Sequence, residues 1–282
     1  MNIQHYHTIE NNPLELREQP VSYTHSRLKK RYEDLDNDLM QFMMLSKAGL
    51  YVDESTYWNN FYEDPDYKYE WNNGILEVKD MPTFDSAYCA NWLHKILLEF
   101  LETNPIAIIV FTEISFTLNL PTKKAIRRPD LSIISKDNPV QPDNQDRSYN
   151  GIYDLCVEFL SDSKKSYVTN DTVEKKREYS QAGVREYYII DEKKEHTAFY
   201  IRNATGRFVR IKPHQGIIRS TVLPGFQFRI KDIYSQPALF DLINDPVYQP
   251  YVKLDLQKER LEKNAALDEI NRLKKIIAQQ KK

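Results

Sequence analysis

Two acidic residues lie at the ends of predicted strands, where they could bind one metal ion together. In RRPDLSII, Asp130 opens a short strand directly after Pro129. In YDLCVEFL, Glu158 interrupts an apolar run that predicts a second strand. A buried carboxylate without a partner is costly, so Glu158 in such a strand requires a cation or a salt bridge. Asp130 taken alone could equally be a turn or strand-start residue.

Antiparallel pairing of these two strands would make Asp130 and Glu158 neighbours. The segment between the strands, residues 137–150, is rich in turn residues and long enough for an antiparallel return. Such a return places the start of the first strand beside the end of the second. If the side-chain faces agree, the two carboxylates can share one hard cation. Mg²⁺ is often held by one or two carboxylates, with waters and a substrate phosphate completing its shell.

A lysine on the next predicted element could complete a hydrolytic centre. The segment NDTVEKKREYSQAG predicts a helix that ends at Gly183. Asp171, Lys175 and Tyr179 follow at i, i+4 and i+8 and therefore share one side of it. Lys175 could stabilise negative charge on a phosphate or orient a water. It could also be an ordinary salt-bridge partner of Asp171, and both interpretations remain open.

The elements that must position these residues have a mixed order of strands and helices. A hairpin, KYEWNNGILEV, turns at Asn73–Gly74, and the helix SAYCANWLHKILLEFLETN follows it. The segment IAIIVFTEISFTLNL predicts one long strand, and HTAFYIR, RFVRI and FQFRI predict a β-meander. This order predicts an α/β or α+β domain. The strand–helix–strand unit in residues 153–191 should contain parallel strands.

The chain divides into three predicted regions. Residues 1–65 form a polar N-terminal extension with one helix, in RLKKRYEDLDNDLMQFMMLSKAG, and we assign it no role. Residues 66–245 contain the predicted core. Residues 251–282 predict a separate C-terminal helix.

Apolar residues in this C-terminal helix step by four, three and four positions. They are Ala266, Ile270, Leu273 and Ile277. Such spacing predicts a short coiled coil that would join two copies of the chain as a homodimer. A single amphipathic helix packed on the core is the alternative.

Composition excludes several classes of protein. The formal net charge of −2 gives no overall attraction to nucleic acid or to anionic membranes. No apolar run approaches the about 18 residues of a membrane span, and the N-terminus lacks the apolar stretch of a signal peptide. The chain has only 7 glycines, no Gly-rich phosphate loop and no HExxH zinc motif. Two distant cysteines fit a reducing compartment, so we expect a cytoplasmic protein without a membrane anchor.

Three ordered segments together resemble the Uma2 family, which belongs to the PD-(D/E)XK nuclease superfamily. They are RRPDLSII, YDLCVEFLSDSKKS and DTVEKKREYSQAGVREYYIID. The resemblance extends over roughly residues 67–230. It implies a restriction-endonuclease-like mixed β-sheet flanked by helices. It also implies DNA as the substrate and Mg²⁺ or Mn²⁺ as the cofactor.

The resemblance also implies roles for individual residues. Asp130 and Glu158 match the two acidic positions of the superfamily, and Glu113 is a further acid that could bind the metal. Leu160 stands where the superfamily usually has a lysine. The family pattern has a lysine in the following helix, and Lys175 matches it. Glu70 is another acid near the site, although a structural role is the simpler interpretation for both Glu70 and Glu113.

Two functions follow, from different classes. The first is an Mg²⁺-dependent endonuclease in which Asp130 and Glu158 hold the metal and Lys175 stabilises charge on the phosphate. The second is a nuclease-fold protein that no longer cuts and serves as a binding or scaffold module. The low net charge and the absence of a lysine at Leu160 keep the second hypothesis open. Metal binding distinguishes the two.

Overall fold

A computed structural model of the chain describes residues 46–111, 113–161, 168–252 and 262–274. The chain forms two compact units, residues 1–47 and residues 48–282. The first unit lies almost entirely outside the described residues, and so does most of the predicted N-terminal helix. All elements named below belong to the second unit.

Thirteen strands form two large sheets and one ribbon within the described residues. The strands are β1 (Tyr69–Asn72), β2 (Ile75–Val78), β3 (Ala107–Val110), β4 (Ser115–Asn119), β5 (Lys124–Arg127), β6 (Leu131–Ser135), β7 (Ser148–Tyr149), β8 (Leu155–Leu160), β9 (Glu186–Asp191), β10 (Ala198–Arg202), β11 (Phe208–Arg210), β12 (Ile217–Arg219) and β13 (Gln227–Arg229). The first sheet has the order β2-β1-β5-β4-β7, and the second has the order β11-β10-β9-β8-β6-β3. Strands β12 and β13 pair with each other, so the predicted meander ends at β11.

Several helices accompany these strands within the described residues. They are α1 (Glu54–Thr56), α2 (Phe84–Thr103), α3 (Lys176–Ala182), α4 (Ile230–Ser235), α5 (Leu239–Leu242) and α6 (residues 262–274). A π-helical turn, Tyr57–Phe61, continues α1, and another, Asn170–Lys175, leads into α3. The predicted class, mixed sheets flanked by helices, is confirmed. Within the described residues no helix is long and apolar enough to cross a membrane.

The predicted hairpin at the start of the core is confirmed. Strands β1 and β2 pair antiparallel with Asn72 opposite Ile75. Asn73 and Gly74 both have positive φ angles, 50° and 96°, as a two-residue type I′ turn requires. A Cβ atom at Gly74 would overlap the ring of Tyr51, so a larger residue would also have to move that exposed side chain.

The six-stranded sheet carries the main core. Helix α2 begins at the N-cap Thr83, whose side chain accepts a hydrogen bond from the N–H of Ser86. Its buried apolar face, which includes the predicted Trp92 and Ile96, packs on this sheet. Strands β6, β8 and β9 are buried on both faces, which explains their nearly continuous apolar sequences.

Strand pairing in this sheet agrees with the predictions. Strands β8 and β9 are parallel, with α3 and its π-helical turn between them in sequence. Strands β6 and β8 are antiparallel, and Leu131 lies opposite Val157. The residues just outside that pair, Asp130 and Glu158, therefore lie at the same end of the two strands.

The predicted long strand over residues 106–120 is wrong. It is two strands, β3 in the six-stranded sheet and β4 in the five-stranded sheet. Between these two strands, Glu113 has a φ of 54°. This left-handed conformation is uncommon for a residue with a side chain. β-Branched and aromatic residues continue across the break, so the sequence pattern does not reveal it.

The C-terminal helix leaves its apolar side chains exposed. Ala266, Ile270 and Leu273 are all exposed, the last two by 51% and 48%. Ile277, the fourth residue of the predicted seam, lies outside the described residues. The coiled coil therefore stays a prediction.

Candidate active site

A cavity of about 270 Å³ lies between the start of α2, the end of β2 and the ends of β6 and β8. Its charged lining residues are Lys68, Glu70, Lys79, Asp80, Glu113, Asp130, Glu158, Asp171 and Lys175. Six of these are acidic and three are lysines, so the cavity carries an excess of negative charge. All of the predicted site residues are among them.

Asp130 and Glu158 are held by the pairing of their strands. One carboxylate oxygen of Asp130, Oδ2, accepts a hydrogen bond of 2.7 Å from the N–H of Phe159. This contact joins the start of β6 to β8 next to Glu158. Glu158 itself is buried, and its Oε1 accepts a hydrogen bond of 2.9 Å from the hydroxyl of Tyr179.

Lys175 contacts three of the acids that line the cavity. Its Nζ lies 2.9 Å from Asp171, 3.2 Å from Glu158 and 3.3 Å from Glu70. Lys175 and Tyr179 both contact Glu158, which confirms the predicted shared helix side. The geometry agrees with both interpretations of Lys175. It forms the i, i+4 salt bridge with Asp171, and it also contacts Glu158, the predicted metal ligand. It lies in the π-helical turn, a distortion frequent at functional sites.

The two buried glutamates that contact Lys175 have opposite pKa shifts. Burial raises the pKa of Glu158 to about 8, against the lowering effect of Lys175 and Lys79. Burial also acts to raise the pKa of Glu70, but Lys175, Arg127 and Lys79 together lower that pKa to about 2. Glu70 gains a further hydrogen bond of 2.8 Å from the N–H of Arg128.

Glu113 reaches the cluster from the link between the two sheets. Its carboxylate pairs with Lys68 and lies 3.5 Å from the Nζ of Lys79. Its carbonyl oxygen accepts a hydrogen bond of 3.1 Å from Nε of Arg128, which holds the left-handed backbone in place. A non-glycine residue in this conformation is a local strain of the kind found at functional sites.

Sequence reasoning missed Lys79. This residue follows β2 directly, and its Nζ lies 2.7 Å from Asp130 Oδ1 and 3.9 Å from Glu158 Oε2. Lys79 is 51 residues away from Asp130 in the sequence. The hairpin brings it there through the pairing of β1 with β5, and no local pattern signals that contact.

A second charged cluster lies behind the cavity and was also missed. The fully buried guanidinium of Arg127 donates hydrogen bonds of 2.6 Å and 2.9 Å to the carboxylate of Glu178. It donates another of 3.0 Å to Glu70 and also contacts Glu77. Lys123 also contacts Glu178, at the oxygen Oε1 that accepts one of these hydrogen bonds from Arg127. Glu70 therefore belongs to both clusters.

The cavity offers carboxylate oxygens as donor atoms for a divalent cation. Among the described residues, no three Asp, Glu, His or Cys side chains are grouped closely enough to hold a metal ion by themselves. Asp130 and Glu158 offer carboxylate oxygens, the donors that Mg²⁺ prefers, and Mg²⁺ often takes only one or two carboxylates from a protein. The chemistry of this pair therefore fits Mg²⁺ or Mn²⁺, with the ammonium of Lys79 between the two acids.

Comparisons with known proteins gave a structural neighbour and a family match. A crystal structure described as a putative nuclease belonging to DUF820, from Anabaena variabilis ATCC 29413, superposes with a TM-score of 0.49 at 15% sequence identity. The superposition covers 61% of this chain and 92% of that one. A search of curated proteins gave no match. Residues 53–231, more than half of the chain, match the Uma2 family, described as putative restriction endonuclease, and the chain therefore belongs to that family.

Proposed function

We propose that this protein is an Mg²⁺- or Mn²⁺-dependent endonuclease that hydrolyses DNA phosphodiester bonds. The observation that carries the proposal is the contact of Lys175 with Glu158, beside Asp130, in one cavity. Two acids and a lysine at the ends of paired strands are a set that can bind a cation and stabilise a phosphate. Membership of a family described as restriction endonuclease supports it.

Each residue has a defined part in this proposal. Asp130 and Glu158 would hold the cation, and Glu113 would be a further ligand after moving closer to them, since no three acids are grouped for a metal among the described residues. A bound Mg²⁺ would polarise a phosphoryl oxygen and lower the pKa of an attacking water. The N–H of Phe159 and the hydroxyl of Tyr179 orient the two carboxylates.

Lys175 supplies positive charge for the phosphate. Its ammonium is buried among Asp171, Glu158 and Glu70, which hold its position. A fixed cation in a site with little water stabilises negative charge that develops on a phosphate more than the same cation would in water. Lys175 therefore takes over the part that Leu160 cannot play.

DNA would have to be held at this cavity by contacts near its rim, because the overall charge of the chain does not attract it. The chain as a whole is slightly acidic, and acids outnumber lysines in the cavity. A bound divalent cation would offset that repulsion. At the rim, Lys68, with a side chain 60% exposed, is placed to contact a phosphate of the backbone.

Cleavage of plasmid DNA in Mg²⁺ or Mn²⁺ tests the proposal. We expect Glu158→Ala, Asp130→Asn and Lys175→Met each to lower the rate by about 100-fold or more. Arg177→Ala is the matched control, because this exposed side chain on the same helix pairs only with Glu174 among the contacts described. Lack of cleavage by the wild-type protein, beside an active control nuclease, would contradict the proposal. Full activity of Glu158→Ala would do the same.

A non-cutting binding or scaffold protein is the second candidate. Lys79 favours it, because this ammonium already neutralises Asp130 without a metal. Calorimetric titration with Mn²⁺ separates the two functions. Binding that Asp130→Asn abolishes supports the endonuclease, whereas absence of binding to the wild-type protein supports the scaffold.

We further propose that the protein is a cytoplasmic homodimer joined by the C-terminal helix, with the core in residues 66–245. The exposed Ile270 and Leu273 support self-association, because exposed apolar residues at heptad spacing gain from burial against a second copy. Sedimentation of the full chain should show a dimer, and Ile270→Asp with Leu273→Asp should yield a monomer. A monomeric wild-type protein at micromolar concentration would contradict this.

A further inference from the structure

We propose that Lys79 is a built-in counter-ion of the metal-free site, and that a divalent cation must displace its ammonium to bind Asp130 and Glu158. This inference rests on the proposed metal site. It assigns a positioning role to a residue that lies outside the three segments by which the chain resembles its family.

The position of the ammonium carries the inference. Nζ of Lys79 lies 2.7 Å from Asp130, 3.5 Å from Glu113 and 3.9 Å from Glu158, the three acids proposed as metal ligands. It also donates a hydrogen bond to the carbonyl oxygen of Arg128. One monovalent cation therefore lies among the oxygens that the divalent cation would use.

Burial makes this placement a fixed feature of the site. The side chain of Lys79 is only 8% exposed, so its ammonium has exchanged water for these acids. Without it, the carboxylate of Asp130 would lose its 2.7 Å ion pair, and the buried Glu158 would lose one of its two nearby cations. Removing one partner from an ion pair that water screens little is costly. Lys79 therefore stabilises the metal-free arrangement.

The same contacts oppose metal binding. A cation bound to Asp130 Oδ1 would take the oxygen that Lys79 now contacts, and two cations cannot share it without strong repulsion. Metal binding must therefore move the ammonium away from Asp130. Lys175, which contacts Asp171 and Glu70 as well as Glu158, is not in this position.

Metal affinity of Lys79→Met tests the inference directly. We expect Mn²⁺ to bind this variant about tenfold more tightly than the wild-type protein in calorimetric titration. The metal-free variant should also unfold at a lower temperature than the metal-free wild-type protein. Mn²⁺ should raise the unfolding temperature of the variant and remove this difference. Lys124→Met is the matched control, because Lys124 does not line the cavity and its Nζ lies 2.6 Å from the carboxylate of Glu54. Its Mn²⁺ affinity should equal that of the wild-type protein.

Equal or weaker Mn²⁺ binding by Lys79→Met overturns the inference, and so does absence of binding to both proteins. If the wild-type protein binds Mn²⁺ and cuts DNA while Lys79→Met binds no more tightly, only the inference about Lys79 fails. If Lys79→Met binds Mn²⁺ more tightly than the wild-type protein but no DNA is cut, only the proposed activity fails.

A second measurement uses the wild-type protein in case the variant does not fold. An amine-reactive reagent followed by mass spectrometry should modify Lys79 slowly without metal and several-fold faster with Mn²⁺, because displacement exposes the ammonium. Lys123, which pairs with Glu178 and does not line the cavity, serves as an internal reference whose modification rate should not change. Unchanged or slower modification of Lys79 in Mn²⁺ would also overturn the inference.

Discussion

Two charged clusters meet at Lys175 and Glu70, and they differ in how completely their charges are matched. Behind the cavity, Arg127 binds Glu178 and Glu70 through hydrogen bonds of 3.0 Å or less, away from solvent. In the cavity, Glu158 must share Lys79 with Asp130 and Lys175 with Asp171. The first cluster is closed, because Arg127 hydrogen-bonds both of its buried acids, whereas in the second Glu158 shares each of its cations with another acid.

The pKa values of the two glutamates express this difference. The pKa of Glu158 is raised because burial outweighs its cations, whereas the pKa of Glu70 is lowered because its cations outweigh burial. The comparison teaches that burial alone does not identify a functional acid. An acid whose neighbouring cations do not offset the cost of its burial is available to a ligand. An acid whose cations do offset that cost supports the structure.

The largest expected effect is on the closed cluster. Arg127→Met leaves Glu178 and Glu70 buried without their guanidinium, and we expect the free energy of unfolding to fall by about 3–5 kcal/mol. Urea unfolding of the metal-free protein measures it. A loss below about 1 kcal/mol would show that the Arg127 cluster is no more stabilising than a surface ion pair.

A pair of variants compares the two clusters directly. Glu70→Gln removes the acid that Arg127, Lys175 and the N–H of Arg128 all contact, and should cost about 1–3 kcal/mol of unfolding free energy. Glu158→Gln should cost less, because burial already disfavours the charged form of Glu158. Urea unfolding with a chelator present measures both. Equal losses would mean that the two acids are equally well matched.

The pH dependence of stability should come from the closed cluster. Burial opposes ionisation of Glu178, but Arg127 and Lys123 lower its pKa below the ordinary 4.5. A lowered folded-state pKa contributes stability above the unfolded-state pKa, and this contribution is lost as pH falls through the folded-state pKa. Glu178→Gln should therefore be less stable at pH 7, with the difference from wild type shrinking between about pH 5 and pH 3. A constant difference in unfolding free energy across that range would contradict this.

The smallest effect is expected at the surface. Arg177 pairs with Glu174 at 2.6 Å on an exposed side of the helical segment, and its side chain is 56% exposed. Such pairs contribute little because water and salt screen them, so Arg177→Ala should change the unfolding free energy by less than about 0.5 kcal/mol. A larger loss of unfolding free energy in the same urea titration would contradict this. It would mean that exposure to solvent does not make the Arg177–Glu174 pair weaker than the buried pairs of Arg127.

Much of this arrangement could be predicted from the sequence because it depends on local periodicity. The hairpin turn follows from Asn73–Gly74, and the shared side of Lys175 and Tyr179 follows from helical spacing. The strand–helix–strand order of residues 153–191 predicted parallel strands, and the pairing of β8 with β9 is confirmed. The neighbouring positions of Asp130 and Glu158 follow from a period of two and an antiparallel return.

Other features were decided only by tertiary structure. The ion pair of Lys79 with Asp130 joins residues 51 positions apart, and Arg127 reaches Glu178 over the same separation. The break at Glu113 arises because one continuous β-forming segment enters two different sheets. Periodicity specifies which side a residue faces, but not which distant charge it meets there. That depends on how the sheets and helices pack, and it determines whether an acid is fully matched or left to bind a ligand.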